Sequence, residues 1–322
     1  WSLDALKKVE RNSIWGLWLQ IDLMEEELRR KVSPEVVIEK SETLLGKLQS
    51  FEGADLLRRR VLRLQARLNF EIGEYEKSIE LYKKLPVLGR LGGQSLREMA
   101  WAHYHLGNYA ETLGLIKTLK APYYQQSLMP EVFLLEVLTL RKLCHYESVR
   151  VAAREFQSRY GSAVEHIKAR RRMQDSLVLV NMAFDSAALG SRIEMVSQAR
   201  AEKKAIQEID GMPKDLSSEL SSIYEQYEQD SRLRLDLALG KELRSIADQL
   251  LVQADQIQLV DYLSGLDAFR LNAKLEKRDY QAASSVAGSF QTLFWPVNAE
   301  YWWDELKNYR VQVSDRCAEV GR

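Results

Sequence analysis

The sequence predicts an all-α protein assembled from repeated helical hairpins. Three observations carry this expectation. The 322 residues include only 16 Gly and 6 Pro, too few for the turns of a β-rich chain of this length. Leu, Ala, Glu, Arg, Lys and Gln, all strong helix formers, supply much of the rest. Two stretches also repeat each other at a fixed step. FEIGEYEKSIELYKKLP (70–86) and YHLGNYAETLGLIKTL (104–119) both carry Gly-x-Tyr; Gly73 and Gly107 are 34 residues apart, and so are Tyr75 and Tyr109.

The elements follow in order. Leu6, Val9, Ile14, Leu17, Ile21 and Leu28 recur with a helical period and predict a helix over 3–31. Ser33-Pro34 reads as an N-cap and first helical residue, opening a second helix that runs to about Ser50. This pair is a cap or a degenerate repeat. In the two good copies, Gly73 and Gly107 end the first helix, where glycine accepts left-handed backbone without a Cβ clash. Tyr75 and Tyr109 start the second helix. Ala66, Ala100, Ser78 and Thr112 are small where two helices approach closely. Tyr82 and Ile116, then Leu85 and Leu119, fill the space toward the next unit, and Pro86 stops the helix.

Two looser copies follow. Residues 141–156 place Tyr146, Ala153 and Phe156 in the corresponding positions, with Cys144 where the Gly stood. Residues 275–290 place Tyr280, Ala283, Ala287 and Phe290 there, with Arg278 for the Gly. Between them, 162–190 reads as one helix with an apolar middle, ending near Gly190. After the Gly211-Met-Pro213 break, a helical pattern runs from Leu216 to about Leu239 and another from Glu242 to Leu275. Helices this long predict coiled-coil-like hairpins. The expected organisation is an N-terminal helical cap (1–54), hairpin repeats (55–160), a long-helix region (161–258), and a degenerate repeat with a Trp/Tyr-rich cap (259–322).

A 34-residue period with Gly-x-Tyr between amphipathic helices resembles the tetratricopeptide-repeat family. The resemblance covers residues 55–160, and 260–292 in looser form. It implies a tetratricopeptide-like helical-hairpin solenoid, a right-handed superhelix with a concave groove, here with longer non-repeat helices in the middle. It also implies a non-enzymatic scaffold for protein–protein interaction. In that family the inner face of each first helix contacts ligands. Carried over on the Gly-x-Tyr, this gives Arg60, Arg63, Arg67 and Phe70 from the first copy. The second gives Arg97, Trp101, Tyr104 and His105, and the third Leu134, Leu138, Arg141 and Lys142. Steps of three and four put the first three arginines on one helical face. A basic groove with aromatic platforms suits an acidic or C-terminal peptide. The competing reading is a solvated face whose arginines pair with Glu71, Glu74 or Glu98.

The C-terminal segment holds Trp295, Tyr301, Trp302, Trp303 and Tyr309. It reads either as a cap over the last repeat or as an aromatic anchor for a partner. Phe294-Trp295-Pro296, Glu300 to Leu306, Tyr309 and Cys317 are similar to the tail of repeat proteins encoded with bacterial gliding-motility machinery. That resemblance implies a cell-envelope or periplasmic protein within a motility complex, whose partner is another component of that machine. On the cytoplasmic side of the membrane, the partner would instead be a Ras-like polarity GTPase.

The remaining features restrict the function further. Lys plus Arg and Asp plus Glu are 46 each, so no bulk field draws the protein to nucleic acid or an anionic surface. The cluster Lys168-Ala-Arg170-Arg171-Arg172 is a local exception that could attract phosphates, but it lacks the interleaved aromatics of a nucleic-acid site. No run of 18 apolar residues would span a bilayer. The chain begins at Trp1 rather than Met, which implies that an upstream stretch has been removed. His103 and His105 would point about 200° apart on a helix, a poor chelate. The three glycines of LGRLGGQS (88–95) lack the phosphate-loop pattern. No catalytic group, metal or cofactor is expected. Cys144 and Cys317 are either one disulfide or two buried thiols. Self-association through 161–275 is the structural alternative to a groove.

Overall fold

Helix α1 (Ile14–Arg29) is capped by Ser13, whose hydroxyl accepts from the Gly16 amide at 3.1 Å. The bond satisfies one of the donors that every helix start leaves open. Pro34 opens α2 (Pro34–Gln49) at a position where its missing N–H is no loss. The computed structural model describes residues 13–88, 91–124, 129–184, 187–209, 212–271 and 306–317. Among these residues there are eleven α-helices, one 3-10 turn and no strand. The copy at 275–290 and the aromatic residues Trp295, Tyr301, Trp302 and Trp303 lie outside the described residues.

Three hairpins share one turn. They are α3 (Asp55–Glu71) with α4 (Tyr75–Lys83), α5 (Gly92–His105) with α6 (Tyr109–Leu119), and α7 (Pro130–Lys142) with α8 (Tyr146–Lys168). Gly73 (φ 86°), Gly107 (φ 76°) and Cys144 (φ 57°) are all left-handed. The next residue reaches back five places each time: the amides of Glu74, Asn108 and His145 donate to the carbonyls of Asn69, His103 and Leu140 at 2.8–2.9 Å. This pattern satisfies the last carbonyls of a helix. A non-glycine residue in that conformation costs roughly 1–2 kcal/mol, so Cys144 is held there against its own preference.

The chain divides into two compact units, Trp1–Gln125 with Arg278–Asp315, and Gln126–Lys277 with Arg316–Arg322. In the first, each helix from α1 to α6 packs on its neighbours in sequence, and α3 also touches both α1 and α5. Its N-terminal core buries Leu17, Ile21, Val37, Leu48 and Val61 completely. Truncating such a side chain to Ala typically costs 2–5 kcal/mol. The small residues Ala66, Ala100, Ser78 and Thr112 are fully buried at the helix crossings, and the Ser78 hydroxyl donates to the Ala66 carbonyl at 2.8 Å.

The C-terminal tail belongs to this unit as far as Asp315 and runs antiparallel along α6. Thr118 Oγ1 donates to the Leu306 carbonyl at 3.0 Å, and the Val311 amide donates to the Ala110 carbonyl at 3.0 Å. Lys307 Nζ donates to the carbonyls of Lys83 and Leu85, and Arg310 pairs with Glu111 at 2.9 Å.

In the second unit the α7–α8 hairpin buries an aromatic trio, with Phe133 edge-on to both Phe156 and Tyr160. The single helix expected over 162–190 does not form. Helix α8 stops at Lys168, where Arg170 turns left-handed (φ 53°) and the Arg171 amide reaches back to His166. After a 3-10 turn (Met173–Asp175), Ser176 restarts the chain as α9 (Leu177–Phe184), its carbonyl accepting from the Val180 amide at 3.0 Å. Helix α10 (Ala187–Gln207) runs through Gly190, since Leu189 is fully buried and packing outweighs the roughly 1 kcal/mol glycine cost.

Helix α11 (Lys214–Leu271) is continuous where two helices were expected, spanning about 87 Å. Gly240 carries no cap and no break, and burial of Leu243, Ile246, Ala247 and Leu250 resumes at once. The early part of α11 lies antiparallel to α10, joined by Arg200–Glu228 at 3.1 Å and Lys203–Glu225 at 3.3 Å. Its later part packs on α7 and α8. Of the two states open to the cysteines, the disulfide is the one present: Cys144 and Cys317 are bridged with Cα atoms 5.1 Å apart, beside Tyr146 and Ala268.

Candidate functional site

The arginines of α3 reach in two directions because helical spacing fans them along one face. Arg60 turns to α1. Its guanidinium bonds Glu25 at 2.8 Å and Asp22 at 2.9 Å, and lies 5.0 Å from the Trp18 ring centroid. Arg67 turns to α5 and grips both oxygens of Glu98, with the closest approach at 2.7 Å. The Tyr82 hydroxyl donates to the same carboxylate at 2.8 Å. Burial, then the Glu98 charge, push the Tyr82 phenol far above its ordinary range. Burial works against the charge on Arg67, but Glu98 more than compensates and raises its pKa.

Arg63 lies between them and is different. Among the described residues its polar contacts are two long ones, at 3.4 Å, to the Ser95 hydroxyl. No carboxylate hydrogen-bonds or ion-pairs with it among the described residues, although Glu98 is near enough for its charge to act on it. Partial burial lowers its pKa first, the neighbouring Arg67 charge adds to the effect, and the Glu98 charge offsets part of it. A half-buried guanidinium with no anion bonded to it is an incompletely satisfied group, with several donors able to take a ligand carboxylate.

Aromatic rings adjoin this row. Phe70 meets Tyr75 edge-on at 5.3 Å, and His105 stacks on Tyr75 at 4.9 Å with the planes 9° apart. Trp101 packs against Tyr104 at 5.7 Å, and Tyr104 against Tyr109 at 5.8 Å. Phe70, Trp101 and Tyr104 are half-buried and His105 is exposed. Arg97 is half-buried on α5 and already engaged. The first unit therefore brings Arg60, Arg63, Arg67, Phe70, Arg97, Trp101 and Tyr104 onto α3 and α5, adjacent first helices.

Arg141 lies in the second unit, where it pairs with Asp267 of α11 at 3.1 Å. Leu134 there lines an open cleft of about 500 Å³ with Glu131, Asp248, Gln249, Val252, Gln253 and Gln256. The first-helix face of this hairpin is thus covered by the chain's own α11, and its cleft is lined by carboxylates and amides rather than arginines. His103 is 8% exposed on α5, and burial holds its imidazole below the usual value. Of the acids that the competing reading offered, Glu98 pairs with Arg67; that Tyr82 shares it was not disclosed by sequence spacing, since the three come from three helices. No cluster of His, Cys, Asp or Glu suited to a metal ion exists among the described residues.

Comparison with protein families, curated proteins and solved structures finds no match for this chain.

Proposed function

We propose that the protein is a non-enzymatic scaffold of tetratricopeptide-like architecture that captures an acidic peptide on the α3–α5 face. The observation that carries this reading is Arg63. Arg60 and Arg67 have carboxylates of their own, whereas Arg63 has only a distant hydroxyl. A peptide carboxylate, from a side chain or a C-terminus, would complete it, with Trp101, Tyr104 and Phe70 supplying apolar contact. The repeated left-handed turns and the contacts of α3 with α1 and α5 support a stacked-hairpin solenoid. The disulfide supports an oxidising compartment such as the periplasm rather than the cytoplasm. With the tail resemblance, this favours an envelope complex of the gliding-motility type, with another component as partner, over capture of a cytoplasmic GTPase.

The test is Arg63→Glu, which breaks no ion pair within the fold. It should reduce capture of native partners at least tenfold while Tm stays nearly unchanged. Undiminished capture by this variant removes the groove.

One observation favours a second reading. Leu216, Ile223 and Tyr227 are exposed along one face of α11, and a stripe of that spacing suits helix–helix self-association. A monomer by light scattering at micromolar concentration removes it.

A further inference from the structure

Residues 168–184 carry a surface that the groove does not use. Lys168, Arg170, Arg171 and Arg172 gather where α8 ends, and all four are exposed. None makes an ion pair among the described residues, although Glu165 and Asp175 flank them in the chain. The 3-10 turn Met173–Asp175 leads from them directly into α9. One side of α9 is internal, with Leu179 and Ala183 fully buried. The other presents Leu177, 80% exposed, and Phe184, 44% exposed. Seven residues apart, these two share a helical face.

Part of this has a purely structural account. A cation in the last turn of a helix is favoured by the helix dipole, and Lys168 ends α8. The dipole does not extend to three arginines beyond the turn. Nor does it explain why Leu177 is the most exposed large apolar side chain described.

We propose that this corner is a peripheral docking surface for an anionic lipid bilayer. The four cations meet headgroup phosphates, and Leu177 and Phe184 enter the boundary between headgroups and acyl chains. Charge complementarity selects a negative surface, and the apolar pair selects a bilayer over a nucleic acid, whose phosphates would reward the cations alone. No helix among the described residues is long and apolar enough to cross a membrane, so attachment here is to the surface. Such a small patch gives weak, reversible binding.

The experiment is co-sedimentation of the full chain with vesicles of phosphatidylcholine alone or rich in phosphatidylglycerol. Binding should be at least about 10-fold stronger to the anionic vesicles and should weaken as salt rises. Arg170→Glu with Arg171→Glu and Arg172→Glu should abolish it. Leu177→Ser with Phe184→Ser should lower it severalfold and leave its salt dependence in place. Circular dichroism checks that both variants fold; if the charge variant does not, the salt titration of the unaltered chain and the Leu177/Phe184 variant decide. The proposal is overturned by equal or absent binding to both vesicle types. It is equally overturned by indifference to the Leu177/Phe184 change, or by preference for a DNA duplex over anionic vesicles.

Discussion

The backbone carbonyl of Tyr309 occupies the place of a β-carbon on Gly114. A Cβ built there would lie 1.7 Å from the Tyr309 oxygen and 2.3 Å from its carbonyl carbon. The tail lies this close to α6 only because residue 114 has no side chain. Gly114→Ala should therefore lift the tail from the helix. Overpacking of this kind typically costs 1–3 kcal/mol. The expected outcome is a lower Tm together with faster protease cleavage after Arg310. A variant as stable and as resistant as the parent would show that the tail does not seat on α6.

The disulfide closes a sequence separation of 173 residues, for which the chain-entropy estimate is about 5 kcal/mol. Its removal has a finer consequence. Cys144 is left-handed (φ 57°) in the place that Gly73 and Gly107 fill in the other two hairpins. With the bridge deleted through Cys317→Ser in both chains, Cys144→Gly should be more stable than Cys144→Ser by about 1 kcal/mol. Urea denaturation compares them; a serine variant equal or superior in stability would contradict this account of the turn.

Tyr82 is 2% exposed and donates to Glu98. Tyr82→Phe leaves that carboxylate to Arg67 alone and should cost about 1–3 kcal/mol. Arg67→Ala should cost less in the Tyr82→Phe background than in the parent if the three groups act together. A double-mutant cycle measures the difference, and strict additivity would show them to be independent.

His103 sets a pH dependence. Burial lowers its folded pKa, with Lys83 and Arg310 nearby adding to the effect and Glu111 opposing it. The unfolded chain, near the ordinary value of about 6.5, then binds a proton more readily than the folded one. The stability is present above that value and is lost as pH falls from it toward the lower folded pKa. Denaturation midpoints should fall between pH 7 and pH 5, and His103→Gln should flatten that portion of the profile.

The hairpin turns were legible in the sequence because their cause is local. Gly73 and Gly107 mark a left-handed residue, and Ser33-Pro34 marks a helix start, whatever packs around them. Gly114 has no local reason that the sequence shows; its reason lies in a tail 195 residues further on. The pairing of the groove arginines was legible only in part: Glu98 is among the acids that the competing reading offered, and it is the partner of Arg67. Helical spacing set Arg60, Arg63 and Arg67 along one face, but their partners come from other helices. Glu25 is 35 residues from Arg60, Glu98 is 31 from Arg67, and Asp267 is 126 from Arg141.

Composition, helical periodicity and the left-handed turns by themselves determined an all-α chain of hairpins, since each depends on the backbone preferences of a few adjacent residues. Three matters were left to the tertiary structure: that α11 runs unbroken past Gly240, that Cys144 is joined to Cys317, and that Arg60 and Arg67 bond acids where Arg63 meets only the Ser95 hydroxyl. The physical reason is common to all three. Burial and charge pairing are decided by groups far apart in sequence, and their energies outweigh the roughly 1 kcal/mol preferences that local sequence expresses.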